Sequence, residues 1–219
     1  ELRVGKAPGV TRTATSTMEW VSKVISLLTE TTKTETILVL GLVDAGKTTF
    51  CSNITDNGYR EFPTIPPCQV AAVGNLIFHS FDVEDNIAFW RNTEYSGLIW
   101  FVDSSAPDRL EASSQQLHHM LAEPKLLGLP LLVLANKQDE SDSIPPEGVC
   151  TELGLPKIIG RRWVILPATT SIGEGLWLGI DWLREAMRRG RPSPSYAQAC
   201  LSDELTKPAA LHRCNETPT

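Results

Sequence analysis

Four short apolar runs, Ile37 to Leu40, Leu98 to Val102, Leu131 to Ala135 and Trp163 to Leu166, constrain the fold of this chain more than any other feature. They are rich in branched or aromatic residues and do not alternate with polar ones, the pattern of strands buried on both faces of a parallel sheet. Helical stretches lie between and after them, at Asp108 to Leu121, Pro145 to Leu153 and Leu176 to Arg189. Such alternation implies βαβ units, and so an α/β fold: a mostly parallel, doubly wound sheet with helices on both faces. Gln69 to Val73 and Leu76 to Phe81, joined by Gly74-Asn75, depart from it and read as an antiparallel hairpin. Six strands with one antiparallel edge strand are therefore expected.

The flanks carry less. Residues 1–17 have no hydrophobic period and read as a disordered extension. Trp20, Val21, Val24, Ile25 and Leu28 share one face of a short amphipathic helix over 18–30. Two roles suit it equally: packing on its own domain, or a detachable anchor for a membrane or a partner. Lys23 is its only basic residue, so its attraction to anionic lipid is expected to be weak. The domain itself is expected over 31–189, with a flexible tail over 190–219. Arg184, Arg188 and Arg189, near the end of the last helix, complement its dipole, and His118-His119 reads as a solvated helix face.

Composition narrows the function. The 26 acidic and 20 basic side chains leave a net charge of −6, which repels a phosphate backbone, and the basic residues form no stripe, so nucleic-acid binding is not expected. No apolar run approaches the length of a membrane-spanning helix. The five cysteines, at 51, 68, 150, 200 and 214, form no CxxC pair, which fits reduced thiols of a cytoplasmic protein.

Chemistry concentrates after the first apolar run, where Gly41-Leu-Val-Asp44-Ala45-Gly46-Lys47-Thr48 is a complete GxxxxGK[ST] between a strand and a helix. Its glycines let backbone wrap a polyphosphate, its amides and the helix start point at the anion, Lys47 reaches the outer phosphates, and Thr48 can ligate Mg²⁺. Thr49 extends the set. Asn136-Lys137-Gln138-Asp139 ends the third run, where open α/β sheets place ligand loops. A carboxylate at Asp139 accepts two hydrogen bonds from guanine nitrogens, a pattern adenine lacks, and Asn136 ties this loop to the phosphate loop. Amides of Thr169, Thr170 and Ser171 are candidates for the guanine carbonyl.

With GLVDAGKTT at 41–49, Pro63-Thr64-Ile65, Phe81-Asp82-Val83, LIWFVDSS at 98–105, ANKQD at 135–139 and GEGLWLGIDWL at 173–183, the chain resembles the small GTPases, a P-loop NTPase family. Within them it resembles the ADP-ribosylation-factor-like branch from about Met18 to Arg189. The resemblance implies GTP or GDP and Mg²⁺ as ligands. It implies Thr64 as a Mg²⁺ ligand in the first switch and Asp82 as holding a Mg²⁺-bound water. It further implies effector proteins, an exchange factor and an activating protein as partners, a monomer, and a cytoplasmic location with peripheral membrane contact through 18–30.

Two departures qualify it. Pro66 and Pro67 replace the Gly-Phe usual in the first switch and stiffen that loop. More consequentially, the family's Asp-x-Gly-Gly-Gln becomes Asp82-Val83-Glu84-Asp85-Asn86, a few residues closer to Trp90. Either no glycine or glutamine is available, or Asp85 takes the glycine's place and Asn86 the glutamine's with a side chain one methylene short. A missing amide to the γ-phosphate costs roughly 1.5 to 3 kcal/mol. A carboxylate about 5 Å away adds repulsion of about 3 kcal/mol at an effective dielectric of 20. The expectation is a nucleotide-dependent switch or scaffold with weakened hydrolysis. Its alternatives are a competent GTP hydrolase in intracellular trafficking and a P-loop kinase, the latter disfavoured by Asp139.

Overall fold

The computed structural model describes residues 33–54, 60–62, 68–83 and 93–190, with Arg60–Phe62 as backbone only. The extension at 1–17, the helix at 18–30, Thr64, Asn86 and the tail from 191 on lie outside the described residues.

Seven strands form one sheet: β1 (Glu35–Gly41), β2 (Arg60–Phe62), β3 (Cys68–Val73), β4 (Leu76–Ser80), β5 (Gly97–Asp103), β6 (Leu131–Asn136) and β7 (Trp163–Pro167), in the order β2-β3-β4-β1-β5-β6-β7. The helices are α1 (Lys47–Asn53), α2 (Leu110–Leu121), α3 (Pro146–Glu152) and α4 (Leu176–Arg188). All six expected strands are present. The seventh, β2, is three residues long, too short to show any hydrophobic period, and it pairs antiparallel to β3 through Phe62 opposite Cys68. β3 runs against β4 as expected but is covered on its outer side by β2, so the antiparallel strand is not the edge.

Doubly buried strands explain the non-alternating runs. Leu38, Leu40, Leu98, Trp100, Leu131 and Val133 face one core with Leu110, Leu117 and Met120 of α2 and Val149 of α3. Their chain neighbours Ile37, Val39, Ile99, Phe101, Leu132 and Leu134 face a second core with Phe50 of α1 and Ile180 and Leu183 of α4. Successive residues of a strand point to opposite faces, so both faces must be apolar when helices cover both. Small residues set the helix-to-sheet distance: a Cβ on Gly179 of α4 would come within 2.8 Å of Leu132. The one polar atom on Trp100 is satisfied, its indole N–H donating to Ser113 Oγ at 3.1 Å. His118 is exposed but not merely solvated, since its Nε2 lies 2.9 Å from the Leu153 carbonyl and links α2 to the end of α3.

Topology then positions the site. β4, β1, β5, β6 and β7 are mutually parallel, so the loops after them emerge along one edge of the sheet. The chain winds to one side of β1 through β2 to β4 and to the other through β5 to β7. The crevice outside the carboxyl ends at such a reversal is where α/β sheets bind ligands. No helix among the described residues is long and apolar enough to cross a membrane.

Candidate functional site

A cavity of about 610 Å³ opens at that edge, lined by residues of four loops that follow β1, β4, β6 and β7. Val43, Asp44, Gly46, Lys47, Thr48 and Thr49 form one end, with Asp82 beside them. Asn136, Lys137, Asp139, Glu140, Thr170 and Ser171 line the rest of the cavity, with Asn136 and Thr170 directly against Gly46. Residues more than a hundred positions apart in sequence are thus brought to one volume.

Backbone conformation makes the first loop. Gly46 has φ 102°, and a Cβ there would sit 2.1 Å from Asn136 Nδ2, so no side chain is tolerated. Gly41 has φ 154°, and its Cβ would meet the Phe101 carbonyl at 2.5 Å. Asp44, with φ 63°, occupies the left-handed region as a non-glycine residue, a conformation acidic and amide side chains reach more readily than others. The loop curls so that Lys47, only 5% exposed, donates to the carbonyls of Gly41 at 2.9 Å and Leu42 at 2.6 Å. The same ammonium pairs with Asp82 at 2.6 Å. Burying an ammonium requires such partners, and these fix its head at the cavity wall.

Asn136 joins the two ends. Fully buried, it donates through Nδ2 to the Ala45 carbonyl at 2.8 Å and to Thr170 Oγ1 at 3.0 Å, and its Oδ1 accepts the Thr170 amide at 3.0 Å. The expected tie between the two motif loops is therefore present and extends to a third. Thr169 donates its amide to the Glu174 carbonyl at 3.1 Å. Both threonine amides are engaged, that of Thr169 within its own loop and that of Thr170 by Asn136, so a base carbonyl reaching Thr170 N would have to share it with Asn136. Lys137, with φ 62°, sends its ammonium to Asp103 at 2.6 Å, which leaves its aliphatic stem as the part that can cover a base. Burial alone would raise the Asp103 pKa, but hydrogen bonds from Lys137 and Ser105 outweigh it and hold the carboxyl below its ordinary value. Asp139 is exposed and accepts from Ser171 Oγ at 3.3 Å.

Thr48 Oγ1 and the Asp82 carboxylate share the Lys47 end of the cavity. Hard oxygen donors of this kind suit Mg²⁺, which keeps most of its water and takes few protein ligands. The donor set present therefore fits the ion.

Three contributors were not singled out as site residues from the sequence. Gln69 on β3 donates to Thr48 Oγ1 at 2.9 Å. Asp103 anchors Lys137, and Asn53 at the end of α1 donates to the Thr170 carbonyl. Asp103 ends a strand at the ligand edge, a position that could have marked it. Gln69 and Asn53 act through contacts made only in three dimensions.

The ADP-ribosylation factor family model matches residues 21–187. ADP-ribosylation factor 3 of Arabidopsis thaliana is 34% identical over 163 residues, covering 70% of this chain and 88% of the relative. ADP-ribosylation factor-like protein 3 of Chlamydomonas reinhardtii is 33% identical over 162 residues, 69% of this chain and 90% of the relative. ADP-ribosylation factor-like protein 1 of Saccharomyces cerevisiae is 33% identical over 162 residues, 69% and 87%. The P-loop α/β fold, the ordering of the motif loops around one cavity and matches of this extent agree, and the chain belongs to the ADP-ribosylation factor family.

Proposed function

We propose that this chain is a guanine-nucleotide- and Mg²⁺-dependent switch or scaffold for effector proteins, with weakened GTP hydrolysis of its own. The observation that carries the reading is that Lys47 and Thr48 of the phosphate loop and Asp139 of the base loop line one and the same cavity. At the phosphate end, the Gly41 to Gly46 backbone cradles the anion, Lys47 compensates its charge, and Thr49 extends the wall. Thr48, Thr64 and, through a water, Asp82 would hold Mg²⁺, whose chemistry is to neutralise phosphate charge and orient the outer oxygens. At the base end, Asp139 accepts from guanine, Lys137 covers the ring, and Asn136, Thr169 and Thr170 hold the loops in register.

Weakened hydrolysis follows from what stands after Val83. Phosphoryl transfer asks a protein mainly to position water and stabilise charge. Glu84-Asp85-Asn86 offers two carboxylates and a short amide where the family carries Gly-Gly-Gln. Nucleotide is retained because Lys47, Thr48 and the metal remain. Exchange and activating proteins are the expected regulators, the chain acts as a monomer in the cytoplasm, and segment 18–30 supplies at most weak peripheral membrane contact.

Single-turnover GTP hydrolysis tests this. Converting Glu84→Gly, Asp85→Gly and Asn86→Gln together should raise the rate, alone or with an activating protein, by on the order of a hundredfold, as for other preorganised transition-state groups. Equal rates for the two chains overturn the weakened-hydrolysis reading. Failure of the unmodified chain to bind GTP in preference to ATP overturns the nucleotide assignment itself.

A further inference from the structure

Gln69 belongs to no motif, yet from β3 its side chain reaches Thr48 of the phosphate loop. Strand pairing fixes it from both sides, with Glu61 of β2 opposite on one and Ser80 of β4 on the other. Its Nε2 donates to Thr48 Oγ1 at 2.9 Å. Its Oε1 is buried and accepts no hydrogen bond from the described residues. A buried amide oxygen without a donor is costly, and native structures keep one where another group completes it.

A threonine hydroxyl has two lone pairs and one proton. The Gln69 hydrogen bond occupies one lone pair and sets the rotation of the Thr48 side chain, leaving the other lone pair for a cation and the proton for a phosphate oxygen. Groups that orient metal ligands from behind in this way tune affinity although they never touch the ion.

We propose that Gln69 is a positioning residue for Mg²⁺: its hydrogen bond to Thr48 Oγ1 orients that hydroxyl toward the ion. The inference rests on the nucleotide and Mg²⁺ reading above. It concerns ion affinity and not the hydrolytic step.

The test is the release of fluorescent GDP from the full chain, titrated from excess chelator to saturating Mg²⁺. Gln69→Met keeps most of the side-chain volume and removes both amide atoms. It should raise the Mg²⁺ concentration for half-maximal slowing of release about tenfold, while release in excess chelator stays as in the unmodified chain. Gln69→Glu returns acceptor oxygens that take the Thr48 proton and attract the cation, so its midpoint should fall at or below that of the unmodified chain. A packing role alone would spare the Met variant. Equal midpoints for the unmodified and Met chains overturn the inference and leave the nucleotide reading intact, and so does a Glu midpoint raised as far as that of Met. If Gln69→Met does not fold, the Glu variant decides on the same criterion. GDP release from the unmodified chain that does not respond to Mg²⁺ overturns the underlying reading, and this inference with it.

Discussion

Asn136 Nδ2 donates to the carbonyl of Ala45, 2.8 Å away and 91 residues earlier in the chain. The rest of that amide is spent on Thr170, so one buried side chain spans the phosphate loop and the two loops at the base end. Removing it strands a buried carbonyl and a buried amide, at about 1 to 3 kcal/mol each. Asn136→Ala should therefore lower stability by about 3 kcal/mol and the melting temperature by roughly 10 °C. It should also weaken GDP binding, because both ends of the cavity lose their common fixed point. Thermal melts with and without GDP check this, and a variant that melts as the unmodified chain does would refute the bridging role.

Asp139→Asn tests the base. Substitution exchanges one acceptor for a donor facing a guanine donor. Each hydrogen bond to a charged group is worth about 1.5 to 3 kcal/mol, so GDP and GTP affinity should fall by roughly two or more powers of ten. Fluorescent-GDP titration of both proteins reads it directly. Equal affinities would remove this loop from the guanine site.

Arg161 separates stability from binding. It is 5% exposed and donates to the carbonyls of Leu121 at 3.0 Å and Leu129 at 3.3 Å, closing the end of α2. Burial pulls its pKa down to about 10, still well above neutrality, so it remains charged in the fold. It precedes β7, at the opposite edge of the sheet from the cavity. Arg161→Met should cost about 2 to 4 kcal/mol, from two carbonyls left without a donor. Denaturant melts should show this loss, while GDP affinity under folded conditions stays unchanged.

His79 on β4 sets a pH dependence. Its ring packs edge-on to Tyr95 at 5.9 Å, with the tyrosine hydroxyl 3.5 Å from Nδ1. Burial lowers its pKa below the ordinary 6.5, so the folded state favours the neutral ring. As pH falls through 6.5 the unfolded chain takes up the proton first, so this contribution is fully present above 6.5 and is lost toward the folded-state pKa. The chain should thus be less stable at pH 5.5 than at pH 7.5, as measured by urea midpoints. His79→Gln should reduce that difference, and an undiminished difference would show that another group causes it.

Signals that need only near neighbours were legible in the sequence. Strands covered on both faces must be apolar at every position, so β1, β5, β6 and β7 announced themselves as uninterrupted runs. Gly41 and Gly46 were legible as spaced glycines because only a residue without a Cβ survives their backbone angles and close contacts. Asn136 and Asp139 were legible from their place at a strand end. β2 was not, since three residues paired to β3 hold no period of their own, and its presence decides that β3 is an inner strand. Neither were Gln69 on Thr48, Asn53 on Thr170 or Asp103 on Lys137. These contacts depend on strand register and loop closure across 21, 117 and 34 residues of chain. Local residue type determines which segments extend and which turn, whereas the packing of the whole sheet decides which polar side chains meet at its ligand edge.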